Sequence, residues 1–156
     1  MFGAVAHYAA SNEDVTGTED GSIGHLELNT KISDFTAAAG YIKTDKNGGV
    51  GLMDTYGDNI NPFDSGNNVY NADAKTVYGS LGYTVASVEL GALYGQTTYG
   101  TNDDFKEKEL NLTAGYPITE SLATSLLLAD IDGEETDSTD GTVDQQSATL
   151  KVQYSF

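Results

Sequence analysis

The sequence predicts an all-β, antiparallel fold of about eight strands, and three observations support this class. The 18 glycines, the 2 prolines and the many Thr, Ser, Asn, Tyr and Val residues favour strands joined by turns over long helices. Apolar and polar residues alternate in most of the chain, as they do in a strand with one apolar face. The connections between the alternating segments are short and long in turn.

Eight segments alternate, and they predict strands at 2–10, 23–32, 35–44, 75–85, 88–99, 108–117, 121–130 and 147–156. The first strand has the weakest apolar face, made of Phe2, Ala4, Ala6 and Tyr8. The apolar faces of the next six strands are, in order, Leu26 and Leu28; Phe35, Ala37, Ala39 and Tyr41; Val77, Leu81, Tyr83 and Val85; Val88, Leu90, Ala92 and Tyr94; Leu110, Leu112, Ala114 and Tyr116; Leu122, Leu126 and Leu128.

The last strand has the clearest pattern, since SATLKVQYSF alternates without interruption and ends on an aromatic residue. A membrane-spanning strand needs about 9 to 11 residues, with one face toward lipid and the other toward the lumen. A half-buried strand of a soluble protein alternates as well. Because the pattern recurs along the chain, it favours an antiparallel transmembrane β-barrel over a soluble β-sandwich or a lipocalin-like barrel.

The alternating lengths of the connections point the same way. Short turns lie at Ser33–Asp34, at Ala86–Ser87 and around 118–120, and long acidic segments lie at 11–22, 45–74, 100–107 and 130–146. This asymmetry is typical of bacterial outer-membrane barrels, whose turns are periplasmic and whose loops are extracellular. Residues 45–74 are then expected outside the cell or folded partly into the lumen.

Five aromatic residues of the apolar faces lie at the same rim of the predicted barrel. They lie next to the short turns or at the end of the chain, as Phe35, Tyr83, Tyr116, Tyr154 and Phe156. Lipid-facing aromatic rings concentrate at membrane interfaces, whereas a soluble barrel has no reason to place them in one ring.

Composition excludes several classes of function. The formal net charge of −17, from 24 acidic residues against 7 lysines and no arginine, argues against nucleic-acid binding. No cysteine is present, which removes disulfides and thiolate sites. The chain has no apolar run long enough for a transmembrane helix, but a barrel does not need one. Its start has no signal-peptide pattern, so the chain is either processed or part of a longer one.

Metal-binding and catalytic patterns are weak. The segment DIDGEETDSTDGTVD, residues 130–144, lacks the spacing of an EF-hand and a Glu at its twelfth position. We expect a solvated acidic loop with weak binding of divalent cations at most. His7 and His25 are the only imidazoles, and no hydrolase, zinc-protease or phosphate-binding motif occurs. The sequence predicts no catalytic residue, no metal site and no cofactor.

The polar faces of the predicted strands would line the lumen. The lining residues are expected to include His25, Glu27, Asn29, Lys31, Tyr78, Glu89, Glu109, Asn111, Lys151 and Gln153. They would border a passage in a wide barrel, or form a hydrogen-bonded plug in a closed eight-stranded one. Small residues such as Gly40 and Gly95 on the same face favour the wider lumen. Glu27, Glu89 and Glu109 predict a mild preference for cations.

Three runs carry a family resemblance: NPFDSGNNVYNADAKTVYGSLGYTVASVELGALYGQTTYG, LNLTAGYPITESLATSLLLADID and LKVQYSF. They resemble the carboxy-terminal part of Opr-type outer-membrane porins, especially the major porins of campylobacter-like bacteria. The resemblance implies a channel for small hydrophilic solutes, surrounded by outer-membrane lipid and lipopolysaccharide. A homotrimer is one assembly that such a channel could form. It also implies that Tyr154 and Phe156 belong to the signal read by the barrel assembly machinery.

Two departures from this family matter. Its members commonly have sixteen or eighteen strands, so the resemblance makes this chain a fragment or a shortened relative. The basic arginine ladder of some Opr channels has no counterpart, and no eyelet residue is carried over. The sequence thus predicts one porin-like domain over residues 1–156. A closed eight-stranded barrel with a structural or adhesive role is the alternative.

Overall fold

The computed structural model describes residues 1–12, 14, 16–17, 19–50, 60–100, 105–134 and 144–156. They form the strands β1 (Phe2–Ser11), β2 (Gly21–Ile32), β3 (Phe35–Thr44), β4 (Lys75–Val85), β5 (Val88–Tyr99), β6 (Phe105–Pro117), β7 (Leu122–Gly133) and β8 (Gln145–Tyr154). A short 3₁₀ helix, Asn68–Tyr70, precedes β4. Within these ranges no helix has the length and apolar character needed to cross a membrane.

All eight strands belong to one antiparallel sheet, in which each strand pairs with the next along the chain. The predicted all-β, antiparallel class and the number of strands are therefore confirmed. The sheet is open among the described residues, because β1 and β8 are its two edges and do not pair with each other. The expected barrel is thus present only as an eight-stranded antiparallel sheet.

Several strand ends differ from the prediction. β6 begins at Phe105 and not at residue 108, and β7 continues to Gly133. Charged residues on both faces hide the alternation there, and they are stabilised by pairing, as in the contact of 3.1 Å between Lys108 Nζ and Asp132 Oδ2. β2 also begins two residues early, at Gly21. The last strand is Gln145–Tyr154, so Phe156 lies beyond its end.

The sheet has one apolar face and one polar face. Large side chains of the apolar face are widely exposed, with Leu28 at 62 % and Leu150 at 71 %. Strand register places Leu90, Leu112 and Val152 on this face. We call the opposite side the polar face.

The buried core lies on the polar face, at the end of the sheet where the long connections meet. There, Ile60, Phe63, Val69 and Tyr70 pack in one cluster with residues of the sheet that include Ile42. We call residues 60–74 the folded segment. The folded segment thus packs over the polar face, whereas residues 51–59 of the long loop lie outside the described residues. The placement of 45–74 relative to a membrane or a lumen stays a prediction.

Two-residue turns join β2 to β3 and β4 to β5 at the opposite end of the sheet. Ala86 and Ser87 both have positive φ, 48° and 68°. Positive φ at both central residues is the requirement of a type I′ turn, whose twist matches that of the flanking strands. At the other turn, Ser33 also has a positive φ, of 53°.

Candidate functional site

The register of the sheet places all ten predicted lining residues on the polar face. The central row of neighbours runs from Glu27 through Gly40, Tyr78 and Gly95 to Glu109. The other predicted residues lie on the same side, because each is an even number of positions from a residue of this row or is linked through strand pairing to one that is. They are His25, Asn29, Lys31, Glu89, Asn111, Lys151 and Gln153. Together with Glu107, which the sequence did not single out, these residues form three groups with different surroundings.

The first group is a hydrogen-bonded chain that joins β2 to β4. The Tyr78 hydroxyl donates to Glu27 Oε2 at 2.7 Å, and its oxygen lies 2.8 Å from His25 Nε2. Because the hydroxyl has one proton, which it gives to Glu27, the His25 Nε2–H must donate to Tyr78. Asn29 Nδ2 donates to Glu27 Oε1 at 3.1 Å. Glu27 therefore accepts at both oxygens.

Tyr78 reaches β2 because the strand between them has no side chain in its path. Gly40 pairs with Tyr78 and with Glu27, and a Cβ at this position would overlap the Tyr78 ring. The ring of Tyr78 therefore lies across β3. This close approach explains why glycine occupies the middle of a strand, where its backbone freedom otherwise weakens the strand.

A cavity of about 370 Å³ opens beside this hydrogen-bonded chain. His7, His25 and Glu27 contribute to its wall from the sheet, and Ile60 and Asn61 contribute from the folded segment. A carboxylate with imidazole, phenol and amide groups around it can exchange hydrogen bonds with water and small polar solutes, and the carboxylate can attract a cation.

The second group is formed by two buried carboxylates of β6 under the folded segment. Glu109 is only 1 % exposed. Its Oε1 accepts the backbone N–H groups of Asp64 and Ser65 at 3.0 and 3.1 Å, and its Oε2 accepts that of Gly66 at 2.6 Å. Three amide donors around one carboxylate satisfy a buried charge without a cationic partner.

Glu107, two residues earlier, is 2 % exposed and has an incomplete set of partners. Its Oε2 accepts Asn68 Nδ2 at 2.6 Å, whereas its Oε1 has no hydrogen-bond partner within the described part of the chain. Gly66 lies against both carboxylates, and a Cβ there would overlap the Glu107 side chain. The close packing of the folded segment on β6 therefore requires glycine at position 66.

The third group lies toward the short turns, where the described residues cover the polar face less fully. Lys31, Glu89, Lys151 and Gln153 are exposed, and no ion pair between described residues involves them. Asn111 lies between this group and the folded segment, and it is buried with no described hydrogen-bond partner for its Oδ1. A second cavity, of about 280 Å³, extends from Asn111 toward the turns.

Sequence reasoning missed the part of the site that the folded segment supplies. It assigned Glu107 to an acidic loop and did not single out Phe63 or Asn68. Phe63 packs against Gly95, where an added Cβ would lie 2.8 Å from its ring. A signal was present, because Phe63, Val69 and Tyr70 are large apolar residues within a loop that is rich in Asp, Asn and Gly. Their burial is what such residues require.

No group of three His, Cys, Asp or Glu residues with the arrangement of a metal site occurs among the described residues. Most of the acidic segment at 130–144 falls in 135–143, outside the described residues. Its weak binding of divalent cations stays a prediction.

Comparison with protein-family models, with curated proteins and with solved structures finds no match to this chain. The chemistry of the two faces and of the folded segment is therefore what bears on function.

Proposed function

We propose that the chain is a porin-like β-barrel, or part of one, in the bacterial outer membrane. It conducts small hydrophilic solutes and ions by passive diffusion, with a mild preference for cations. The observation that carries this proposal is the inverted distribution of side chains. The face with large apolar residues is exposed, and the face with carboxylates, imidazoles and amides holds the buried core.

Exposed apolar residues on this scale favour a lipid environment. Leucine, valine and tyrosine side chains from all eight strands share the apolar face, among them Tyr8, Leu26, Val77, Leu112, Leu126 and Val152. A monomeric water-soluble protein rarely exposes a contiguous apolar patch larger than a few hundred Å². In the hydrocarbon of a membrane, exposing such a face has no free-energy cost.

The aromatic residues support the same orientation. Phe35 and Tyr83 are direct cross-strand neighbours at the short-turn end of the apolar face. Tyr116 and Tyr154 lie at the same end of β6 and β8. Tyrosine and phenylalanine at one level of a lipid-facing surface form the aromatic girdle of an outer-membrane barrel.

In a bilayer the free edges of β1 and β8 must be paired, because an unpaired backbone group in hydrocarbon costs several kcal/mol. Closure of β1 on β8 gives an eight-stranded barrel, and additional strands give a wider one. An eight-stranded barrel has space inside for little more than its own side chains. The folded segment already occupies part of the polar face, which favours a wider barrel and a channel over the closed structural or adhesive alternative.

Cation preference follows from the accessible charges of the polar face. Glu27 faces the cavity of about 370 Å³ and Glu89 is exposed, whereas Lys31 and Lys151 reduce the negative potential. Acidic connections add to the negative field at the mouth. The family resemblance also supports a channel, although the absence of arginine separates this chain from basic Opr pores.

Single-channel recording in a planar bilayer tests the proposal. We expect discrete conductance steps and a reversal potential that indicates cation preference in a low-salt KCl gradient. The preference should decline with salt, because the Debye length falls from about 10 Å at 0.1 M to about 3 Å at 1 M. A correctly inserted protein without conductance would favour the closed-barrel alternative, and anion preference at low salt would contradict the electrostatic argument.

A further inference from the structure

We propose that Glu109 is a positioning residue that sets the width of the passage by holding the folded segment on the polar face. This inference rests on the proposed channel function. It also assigns Glu109 a different role from that of Glu27 and Glu89, the other two acids expected to attract cations.

The contacts of Glu109 are those of an anchor. One carboxylate accepts three consecutive backbone N–H groups, from Asp64, Ser65 and Gly66, at 2.6 to 3.1 Å. Hydrogen bonds to an ionised acceptor are roughly twice as strong as neutral ones. These three join a strand to a segment more than forty residues away in the sequence, and they act on the backbone of that segment.

The folded segment is shaped to present these three donors. Asn61 Oδ1 accepts the Phe63 N–H at 3.1 Å, and Asn61 Nδ2 donates to the Gly66 carbonyl at 2.6 Å. The Asn61 side chain therefore closes a turn around residues 62–66. With the turn closed, the amides of residues 64–66 converge on one point, and Glu109 occupies it.

The residues packed next to Glu109 leave the folded segment little room to move. Phe63 is buried against β5, where Gly95 provides the necessary space. On the other side, Gly66 lies directly on the Glu107 and Glu109 carboxylates. Removing the Glu109 charge leaves the Phe63 contact in place, but it frees the backbone of residues 64–66 to move away from β6.

Because Glu109 is buried, its charge contributes little to ion preference. At 1 % exposure, with three amide dipoles directed at it, its charge is largely compensated before it reaches the passage. Glu89 is exposed on the same face, and no hydrogen bond to its carboxylate occurs among the described residues. Loss of the Glu109 charge should therefore change the dimensions of the passage, and loss of the Glu89 charge should change its ion preference.

The experiment compares Glu109→Gln with Glu89→Gln, which removes the same charge from an exposed position of the same face. Both variants are refolded in detergent, and hydrogen exchange is measured at the amides of residues 64–66. Each is then inserted in a planar bilayer. We expect exchange at these amides to be roughly tenfold faster in Glu109→Gln, since a charged hydrogen bond is lost. Its conductance should rise while its cation preference stays near that of the wild type.

For Glu89→Gln we expect the reverse, with unchanged exchange and a reduced cation preference. Glu109→Asp provides a second test, because it keeps the charge but shortens the side chain by one methylene group. It should resemble Glu109→Gln if position matters, and it also serves if the glutamine variant does not fold.

Unchanged exchange at residues 64–66 in both Glu109 variants would overturn the anchoring role. Faster exchange without a change in conductance would overturn the role in setting the width. Absence of conductance in the wild type would refute the proposed channel and the width role with it, and the exchange measurement would still decide whether Glu109 holds the folded segment.

Discussion

The proposed lipid contact of the apolar face is tested most directly at Leu112. This residue is 43 % exposed, and its cross-strand neighbours are Ala92 and Leu128. It lies five positions before Pro117, the end of β6, a distance of about 17 Å along a strand. A strand tilt of about 40° reduces this to a depth of about 13 Å, half of an apolar band about 25 Å tall. Leu112 would thus lie near the bilayer midplane.

Leu112→Arg should lower the free energy of unfolding by about 2 to 4 kcal/mol if the side chain faces hydrocarbon at this depth. In water the same exposed position should respond by no more than about 0.5 kcal/mol. Ile118→Arg is the matched control, since Ile118 has a similar exposure of 48 % but lies in the short turn, outside the predicted band. Near the membrane interface, Ile118→Arg should lower the free energy of unfolding by only about 0 to 1 kcal/mol.

The assay is a urea titration of the protein refolded into phosphatidylcholine vesicles, followed by tyrosine fluorescence and by the mobility shift of folded barrels on unheated gels. A large loss for Leu112→Arg with a small loss for Ile118→Arg is the expected result. Equal losses at the two positions, or a loss below about 0.5 kcal/mol at Leu112, would refute the assignment of this face to lipid.

Three further predictions concern the turns, the seat of the folded segment and the charge of the polar face. Replacing Ala86 and Ser87 by Asn and Gly should stabilise the protein by about 1 kcal/mol in the same titration, because both residues have positive φ and this pair favours a type I′ turn; lower stability would contradict the turn assignment. Gly95→Ala should cost about 1 to 3 kcal/mol, since its Cβ would lie 2.7 Å from the Tyr78 side chain, whereas Gly79→Ala, with no atom nearer than 3.7 Å, should cost much less. Glu89→Gln should shift the reversal potential toward zero in 0.1 M KCl and have little effect near 1 M; an equal effect at both salt concentrations would argue against a screened charge.

Strand positions were predictable where the two faces differ in polarity. The predicted bounds of β3, β4 and β5 agree with the structure, since each strand alternates up to a tight turn. The prediction was wrong at the start of β6, where the run of charged residues from Lys106 to Glu109 conceals which face is which. Cross-strand pairing extends the strand there, and pairing cannot be recognised from one segment alone.

Selectivity shows the limit of reasoning from the face of a strand. Glu27, Glu89 and Glu109 share the polar face, and the sequence predicts the same role for all three. The structure gives them different surroundings, because Glu27 is bonded to Tyr78 and Asn29, Glu89 is exposed, and Glu109 is covered by backbone amides. A shared face is therefore weak evidence for a shared function.

The sequence by itself determined the number of strands, their antiparallel order and the side chains on each face. These properties follow from an alternation of period two and from turn residues, which are local features of the chain. Only the tertiary structure decided that residues 60–74 cover one end of the polar face, and that Glu109 is buried beneath them. The contacts responsible join residues 39 to 45 positions apart. No local pattern encodes such contacts, because they depend on the twist and register that bring β6 under the folded segment.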